Sequence, residues 1–461
     1  MQQPKDLELD IVKLGLGISN NLEQIQRICS MKDFQIRELP AFTCCYLDTL
    51  VSREELDEKL TGITANPDLL TSFEWEEVAT LGSCISKIMN GWTILLTENS
   101  LPAAINTYKV DQRSIDTSFS ESAIQGPQES FIESYSTNIS MIRKYIRSPR
   151  LLMDTVIVGD TTSTTIAVLW MEGTAKPAHV TELTERLKRV EDKVMDSIII
   201  MESISDQSYS IFPVFAVTSL PQKVISSLMQ GKVIAIVDGS PQVIIAPCTF
   251  WDYLETPDDY YNNWFYSSIV RLMRIISLFL AVFAVPLYVS ITSYNYQLIP
   301  MDLVIPFVEQ RSSVPFTPIY EALFISVVLD LLREAAARLP IKIGQTIGIV
   351  GGIIIGQAAV EAHLMSYYLI IVASGAALAS FIMSSYMMTN ALRAIRYVVL
   401  LLSSFLGVYG LVLGYSLIML HLLGLRTLGE PYLSPLSPMR AGQLERIVLR
   451  LPRFTRDKNK Q

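Results

Sequence analysis

Residues 343–362 read IGQTIGIVGGIIIGQAAVEA, and within them Gly344, Gly348, Gly352 and Gly356 recur every four residues. In a helix in water each interior glycine costs about 1 kcal/mol relative to alanine. A membrane changes that arithmetic, because lipid gives helices no hydrophobic drive to associate and small residues at this spacing let two backbones pack closely. The glycine face is therefore expected to be an oligomer packing surface. At about 100° per residue, the face turned away from it carries Thr346, Val350, Ile353, Ile354, Gln357 and Glu361. An apolar middle with polar groups toward the ends suits the lining of a pore. Thr346, Val350, Ile354, Gln357 and Glu361 are the pore-lining candidates. The plainer alternative is that Gln357 bonds a neighbouring helix and Glu361 sits at the water interface.

The rest of the chain offers no comparable chemistry. Cys29, Cys44, Cys45, Cys84 and Cys248 form no CxxC pair, and His179, His363 and His421 supply no metal-ligand spacing. They read as reduced, mostly buried thiols and ordinary histidines. A P-loop, a GxGxxG after a strand and a nucleophile elbow are all missing from the sequence. No catalytic residue, metal or cofactor is expected, and the protein does not read as an enzyme.

The elements that must position the glycine helix follow from composition. Of 461 residues, 50% are hydrophobic, and nearly all the long uncharged runs lie after residue 269. This predicts an α/β cytoplasmic N-terminal domain followed by an α-helical multipass membrane domain. The expected divisions are two subdomains, 1–125 and 126–262, a helical domain at 263–430 and a basic tail at 431–461. The opening MQQPKDLELDIVKLGLG lacks the apolar core of a signal peptide, which predicts that the first module stays in the cytoplasm. A net charge of -8 argues against a nucleic-acid partner.

In the first subdomain, residues 41–50 and 92–97 read as strands, and the helix at 52–60 opens on a capping Ser52 with Glu55 three residues later. A further helix is expected at 128–147. The second subdomain reads as a mixed sheet with helices on it. Its strands are expected at 155–160, 164–171, 197–202, 232–238 and 242–247, its helix at 179–194, and its hairpin turn at Asp238-Gly239-Ser240. Acidic and aromatic residues 258–266 form the link to the membrane, with Trp264, Phe265 and Tyr266 as an interfacial belt and Arg271 and Arg274 as a positive flank. Spans are expected at about 269–291 with Pro286 inside, at 343–362, at 365–388 and at 395–425. The segment at 317–339 carries Glu321, Asp330, Arg333, Glu334 and Arg338, which suits an interfacial helix or a wet interior better than a clean span. The basic tail belongs inside by the positive-inside rule, which four crossings satisfy.

The runs LPIKIGQTIGIVGGIIIGQAAVEA, EALFISVVLDLLREAAARL, LRTLGEPYLSPLSP, GPQESFIES, GKVIAIVDGSPQVIIAP and TFWDYLETPDDYY together resemble the A subunit of the GerA-type spore germinant receptors of endospore-forming bacteria. The resemblance covers most of the chain from about residue 90. It departs at Gln128, where the family pattern has a basic residue, at 159–164, and at 381–386, where a helix-breaking proline is absent. It implies a multipass protein of the spore inner membrane that works beside a permease-like B subunit and a lipoprotein C subunit. The implied activity is that of a homo-oligomeric, nutrient-gated cation channel in contact with membrane lipid. A non-conducting scaffold of receptor clusters and, more remotely, a transporter are the alternatives; no internal repeat supports the latter.

Overall fold

The computed structural model describes residues 12–439 apart from 16, 66–72, 99, 109–125, 191–195, 208, 340–351, 353–355 and 384. The chain divides into two compact units, Met1–Ser208 with Phe215–Cys248, and Tyr209–Val214 with Thr249–Gln461.

The first unit begins with α1 (Ile18–Ile28), β1 (Phe34–Glu38), β2 (Thr43–Leu47), α2 (Arg53–Ala65), β3 (Trp75–Glu77), α3 (Leu81–Met89), β4 (Trp92–Leu96) and β5 (Ala103–Asn106). The strands form one antiparallel sheet in the order β1-β2-β4-β5-β3. Every residue of β2 is buried because both faces of the sheet are covered. Cys45 and Leu47 pack with Ile25 of α1 and with Cys84, Ile85 and Ile88 of α3, whereas Cys44 and Tyr46 pack with Leu56, Leu60 and Ile63 of α2. Leu81, Cys84, Ile85 and Ile88 make one stripe of α3, which opens where the Thr80 hydroxyl accepts from Ser83 N at 3.3 Å. At Gly91 the chain turns into β4 with φ +80°, and a Cβ there would meet the Tyr108 ring and the Leu50 carbonyl.

A second sheet follows, built from α4 (Tyr135–Tyr145), β6 (Leu151–Val158), β7 (Thr164–Met171), α5 (Pro177–Lys188), α6 (Ser197–Ile204), β8 (Ala216–Thr218), α7 (Pro221–Met229), β9 (Val233–Val237) and β10 (Val243–Ala246). Its order is β6-β7-β9-β10-β8, with every neighbouring pair antiparallel, so the mixed sheet read from sequence is corrected. The strand expected at 197–202 is helix α6. Its Ser197, Ile200 and Ile204 are buried at helical spacing, a period that a run of four apolar residues is too short to reveal. The hairpin turn at Asp238-Gly239-Ser240 stands as expected, with Gly239 at φ +87° and the Asp238 carboxylate accepting from Tyr135 N at 3.3 Å. Arg143 of α4 ties the two sheets. Its Nε and Nη2 meet the Asp33 carboxylate at 2.6 and 2.7 Å, with both side chains almost wholly enclosed.

The second unit holds α8 (Asp258–Tyr261), α9 (Trp264–Ser293), α10 (Met301–Ser312), α11 (Pro318–Arg338), α12 (Tyr367–Phe381), α13 (Tyr386–Leu406), α14 (Val408–Gly424) and a small hairpin, β11 (Arg426–Thr427) with β12 (Glu430–Pro431). Among the described residues, α9 and α13 are long and apolar enough to cross a membrane; α12 and α14 are apolar but have 15 and 17 residues. Most of the expected span at 343–362 lies outside the described residues. The expected span at 365–388 is divided: α12 ends at Phe381, and α13 opens where the Ser385 hydroxyl accepts from Met388 N at 3.4 Å. A serine cap thus breaks the helix without the family's proline. The expected span at 395–425 turns at Gly407, φ +60°, and a Cβ on Gly410 would strike the Leu402 carbonyl, so the chain reverses there only with glycine. Helix α10 is an element the sequence reading missed. The core of this unit joins Val285, Tyr288 and Val289 of α9 to Ala322 and Ile325 of α11 and to Leu369, Ala373 and Ala376 of α12, whose small residues allow close approach.

All five cysteines are buried thiols outside any disulfide, as expected. Burial pushes four of the thiols up from 9.0, Cys29 and Cys45 to about 12, Cys44 to about 11, and Cys84 in the same direction. The fold therefore holds protons that the unfolded chain releases above about pH 9, so the stability these thiols contribute is whole below that pH and is lost as pH rises toward 12. The expected outcome is a lower urea midpoint for the first unit at about pH 10.5 than at about pH 8, with a smaller drop in Cys45→Ala. An equal drop in the variant would assign the effect to other groups.

Candidate functional site

The second unit gathers buried charge in three places, each built from side chains of different elements. The first lies at the start of α9. Asparagine 263 caps that helix through its side-chain oxygen on Phe265 N, 3.3 Å, and the three-residue spacing of Arg271 and Arg274 then sets both guanidinium groups on one face. Both reach the Asp259 carboxylate of α8: Arg271 Nε at 3.0 Å and Arg274 Nη1 at 2.9 Å, to the same oxygen. Arg271 Nη2 also meets Glu255 at 2.7 Å, and Arg274 donates to the Leu254 carbonyl and the Thr256 hydroxyl. The Ser267 hydroxyl donates to the Asp259 carbonyl at 2.8 Å, closing the joint between α8 and α9. The positive flank read at Arg271 and Arg274 is thus corrected. Both are buried and charge-paired, whereas Trp264, Phe265 and Tyr266 are exposed, as an interfacial belt requires.

The second place is Glu321 of α11, whose side chain is fully enclosed. It accepts from Ser366 N, at the cap of α12, at 3.1 Å, and Arg311 of α10 approaches it at 3.3 Å. Tyr288 of α9 shares a 2.7 Å hydrogen bond with the Ser366 hydroxyl, so four helices converge on one carboxylate. The third place is Asp330 of α11. Arg396 and Tyr397 of α13 donate to it at 2.9 and 2.7 Å, while Arg333 reaches the Ser380 hydroxyl of α12 at 2.7 Å and lies over the Phe381 ring. Of the five charges read along 317–339, Glu321, Asp330 and Arg333 therefore face neighbouring helices. Glu334 and Arg338 pair with each other in solvent.

Among the glycine-helix candidates, Gly344, Thr346, Gly348, Val350 and Ile354 lie outside the described residues. Gly352 and Gly356 are half-buried, and a Cβ added to either would meet nothing within 4 Å in this chain. Gln357 and Glu361 are exposed and bonded to each other, 2.9 Å, one helical turn apart. Asp259, Arg311 and Ser366 were missed in sequence. Asp259 sits in a strongly acidic, aromatic stretch that reads as solvated, and only a carboxylate isolated in an apolar run, as at Glu321, gives a signal before the fold is known. Among the described residues no three His, Cys, Asp or Glu side chains group as metal ligands would.

A family model described as Bacillus/Clostridium GerA spore germination protein matches residues 18–461. Spore germination protein GerQA of Bacillus cereus is 39% identical over 368 residues, 79% of this chain and 74% of that protein. Spore germination protein B1 of Bacillus subtilis is 35% identical over 464 residues, 98% of this chain and 96% of that one. The chain belongs to the Bacillus/Clostridium GerA spore germination protein family. The resemblance carried by 343–362 and by the runs on either side of it is thereby borne out. Among solved structures, the N-terminal domain of the A subunit of the Bacillus megaterium spore germinant receptor GerK3 aligns over 52% of this chain and 97% of that one, at 22% identity and a TM-score of 0.40. That score is too low to bear on the fold.

Removing Asp259 takes from the buried Arg274 the carboxylate it pairs with and leaves Arg271 with Glu255, a change that costs about 3–5 kcal/mol where one partner of a buried pair is lost. Asp259→Ala is expected to lower the thermal midpoint of the detergent-solubilised protein sharply. The exposed Asp302→Ala should stay within about 0.5 kcal/mol of wild type. Matching midpoints for the two variants would remove the junction from its structural role.

Proposed function

We propose that this chain is the A subunit of a spore germinant receptor and that it assembles into an oligomeric, nutrient-gated cation channel. Its site would be the spore inner membrane, crossed several times, with the first unit in the cytoplasm, beside a permease-like B subunit and a lipoprotein C subunit. The observation that carries the channel reading is the burial of Glu321 and of Arg396, the latter paired to a half-buried Asp330, between helices of an apolar unit. Charge placed inside a membrane is costly and is kept where it faces a bundle interior or an ion path. The open space over Gly352 and Gly356 supports a packing surface for a second copy, and the paired Gln357 and Glu361 offer a polar approach on the same helix. In that assembly Gly344, Gly348, Gly352 and Gly356 face a neighbour, while Thr346, Val350, Ile354, Gln357 and Glu361 line the pore.

Purified protein reconstituted in planar bilayers tests the reading. Cation conductance is expected, and its absence from an intact oligomer would leave a non-conducting scaffold. Val350→Ala should leak, because shortening a branched ring lowers the barrier to wetting; Ile349→Ala, off the proposed axis, should not. Glu361→Gln should change cation preference while oligomer size is kept. Single cysteines along 346–361 probed with a water-soluble thiol reagent should label at 346, 350, 357 and 361, and labelling along the glycine face would reverse the assignment.

A further inference from the structure

Helix α10 lies in the chain between α9 and α11, which both enter the core of the second unit, yet none of its own residues is buried. Its Met301, Leu303, Ile305 and Val308 are exposed. In a membrane such side chains meet lipid, whose tails are as apolar as leucine, so little apolar contact is lost when the helix leaves its neighbours. Aromatic and polar contacts must hold it. They lie on one face, where Val304, Phe307 and Arg311 follow at intervals of three and four residues and are half-buried. The Phe307 ring rests against Tyr288 of α9 and Tyr368 of α12, with centroids 6.4 and 5.2 Å away. One turn further on, Arg311 Nη2 comes to 3.3 Å from Glu321 Oε1.

What lies beneath that face is a single polar node. The Tyr288 and Ser366 hydroxyls share a hydrogen bond, and Ser366 N donates to Glu321 Oε2, so Phe307 and Arg311 of α10 cover its two ends. The Glu321 side chain is 0% exposed and that of Arg311 is 19% exposed, which places the guanidinium between the carboxylate and the outside. The hold is incomplete. Arg311 Nη2 donates to the Phe316 carbonyl at 3.4 Å, while Arg311 Nη1 and Glu321 Oε1 are buried with no hydrogen-bond partner among the described residues. The two groups attract as charges without the hydrogen bonds that make such pairs strong, and so recover only part of what their burial costs. A contact of that kind opens more readily than a closed one.

We propose that α10 is a lid over the Glu321 carboxylate, latched by Arg311, and that water and cations reach Glu321 only when the lid is open. The inference stands apart from the channel reading, since a non-conducting assembly would carry the same lid and the test reads motion rather than current. The full-length chain in lipid nanodiscs is followed in two ways: by hydrogen exchange of the α10 amides, and by the rate at which a water-soluble maleimide modifies a reporter thiol, Ser366→Cys, placed beside Glu321. The five native cysteines are buried in the first unit, which keeps the background low. Arg311→Met and Glu321→Gln should each speed exchange in α10 about tenfold while α9 and α12 stay protected, and Arg311→Met should speed modification of the reporter by about the same factor. Exchange is measured without the reporter, so it decides even where Ser366→Cys disturbs the cap of α12. Exchange in α10 unchanged by both variants overturns the latch. Exchange rising as much in α9, α11 and α12 as in α10 overturns the lid, because the pair then holds the whole bundle. Faster exchange in α10 with a folded reporter still protected also overturns it, because the helix then frays without uncovering the carboxylate.

Discussion

A carboxylate drawn in among apolar side chains must find its counter-charge or donors within the protein, and the second unit is arranged around three that do, Asp259 and Glu321 buried and Asp330 half-buried. Asp259 draws in two arginines from α9, Glu321 an arginine from α10 and the backbone at the cap of α12, and Asp330 an arginine and a tyrosine from α13. Apolar contacts between helices tolerate sliding, because one leucine or alanine substitutes well for another along a face. Charge pairs do not. A shift of one helical turn, about 5.4 Å, would carry every one of these donors out of reach and leave ions buried without partners. The small residues of α12 let helices come close, and the charges decide at what height they meet.

The first unit meets the same constraint once and otherwise relies on burial. Its sheets are covered by helices, and strands such as β2 and β9 are wholly buried, so alternate side chains serve different cores. What joins one sheet to the other is more specific: the enclosed pair of Arg143 and Asp33, with the Ser140 hydroxyl donating to the Thr49 carbonyl and Lys32 paired to Asp154. Breaking such a pair from one side costs far more than the pair adds over a well-packed apolar substitute, so it fixes the arrangement more than it raises stability.

Much of this was legible in the sequence, and the failures have physical causes. Strands 43–47 and 92–96, the turn at Asp238 and the long helix through Pro286 follow from local pattern, because a period of two, a turn glycine and a long apolar run each act within a few residues. Helix α6 defeated that logic, since SIIIME is β-branched and too short for its period to show. The helix break near residue 385 was not read, because the proline that marks it in the family is absent and a serine hydroxyl does the capping here. Of the candidate site, Gln357 and Glu361 are found together, but the partners of Glu321 come from residues 311 and 366. Nothing local marks such long-range pairs. Orphaned donors are legible only in coordinates, and Arg143 reads in sequence as nothing more than the basic end of a helix.

That arginine shows what the seam between the two sheets demands. Nε and Nη2 hold the Asp33 carboxylate, while Nη1 is buried with no hydrogen-bond partner among the described residues. A buried donor left without an acceptor costs about 1–3 kcal/mol, more when charged, so the paired edge must offset a penalty carried by the other. Because the guanidinium is planar and rigid, one edge cannot turn without the other, and a slip of one sheet past the other breaks both hydrogen bonds to Asp33 at once.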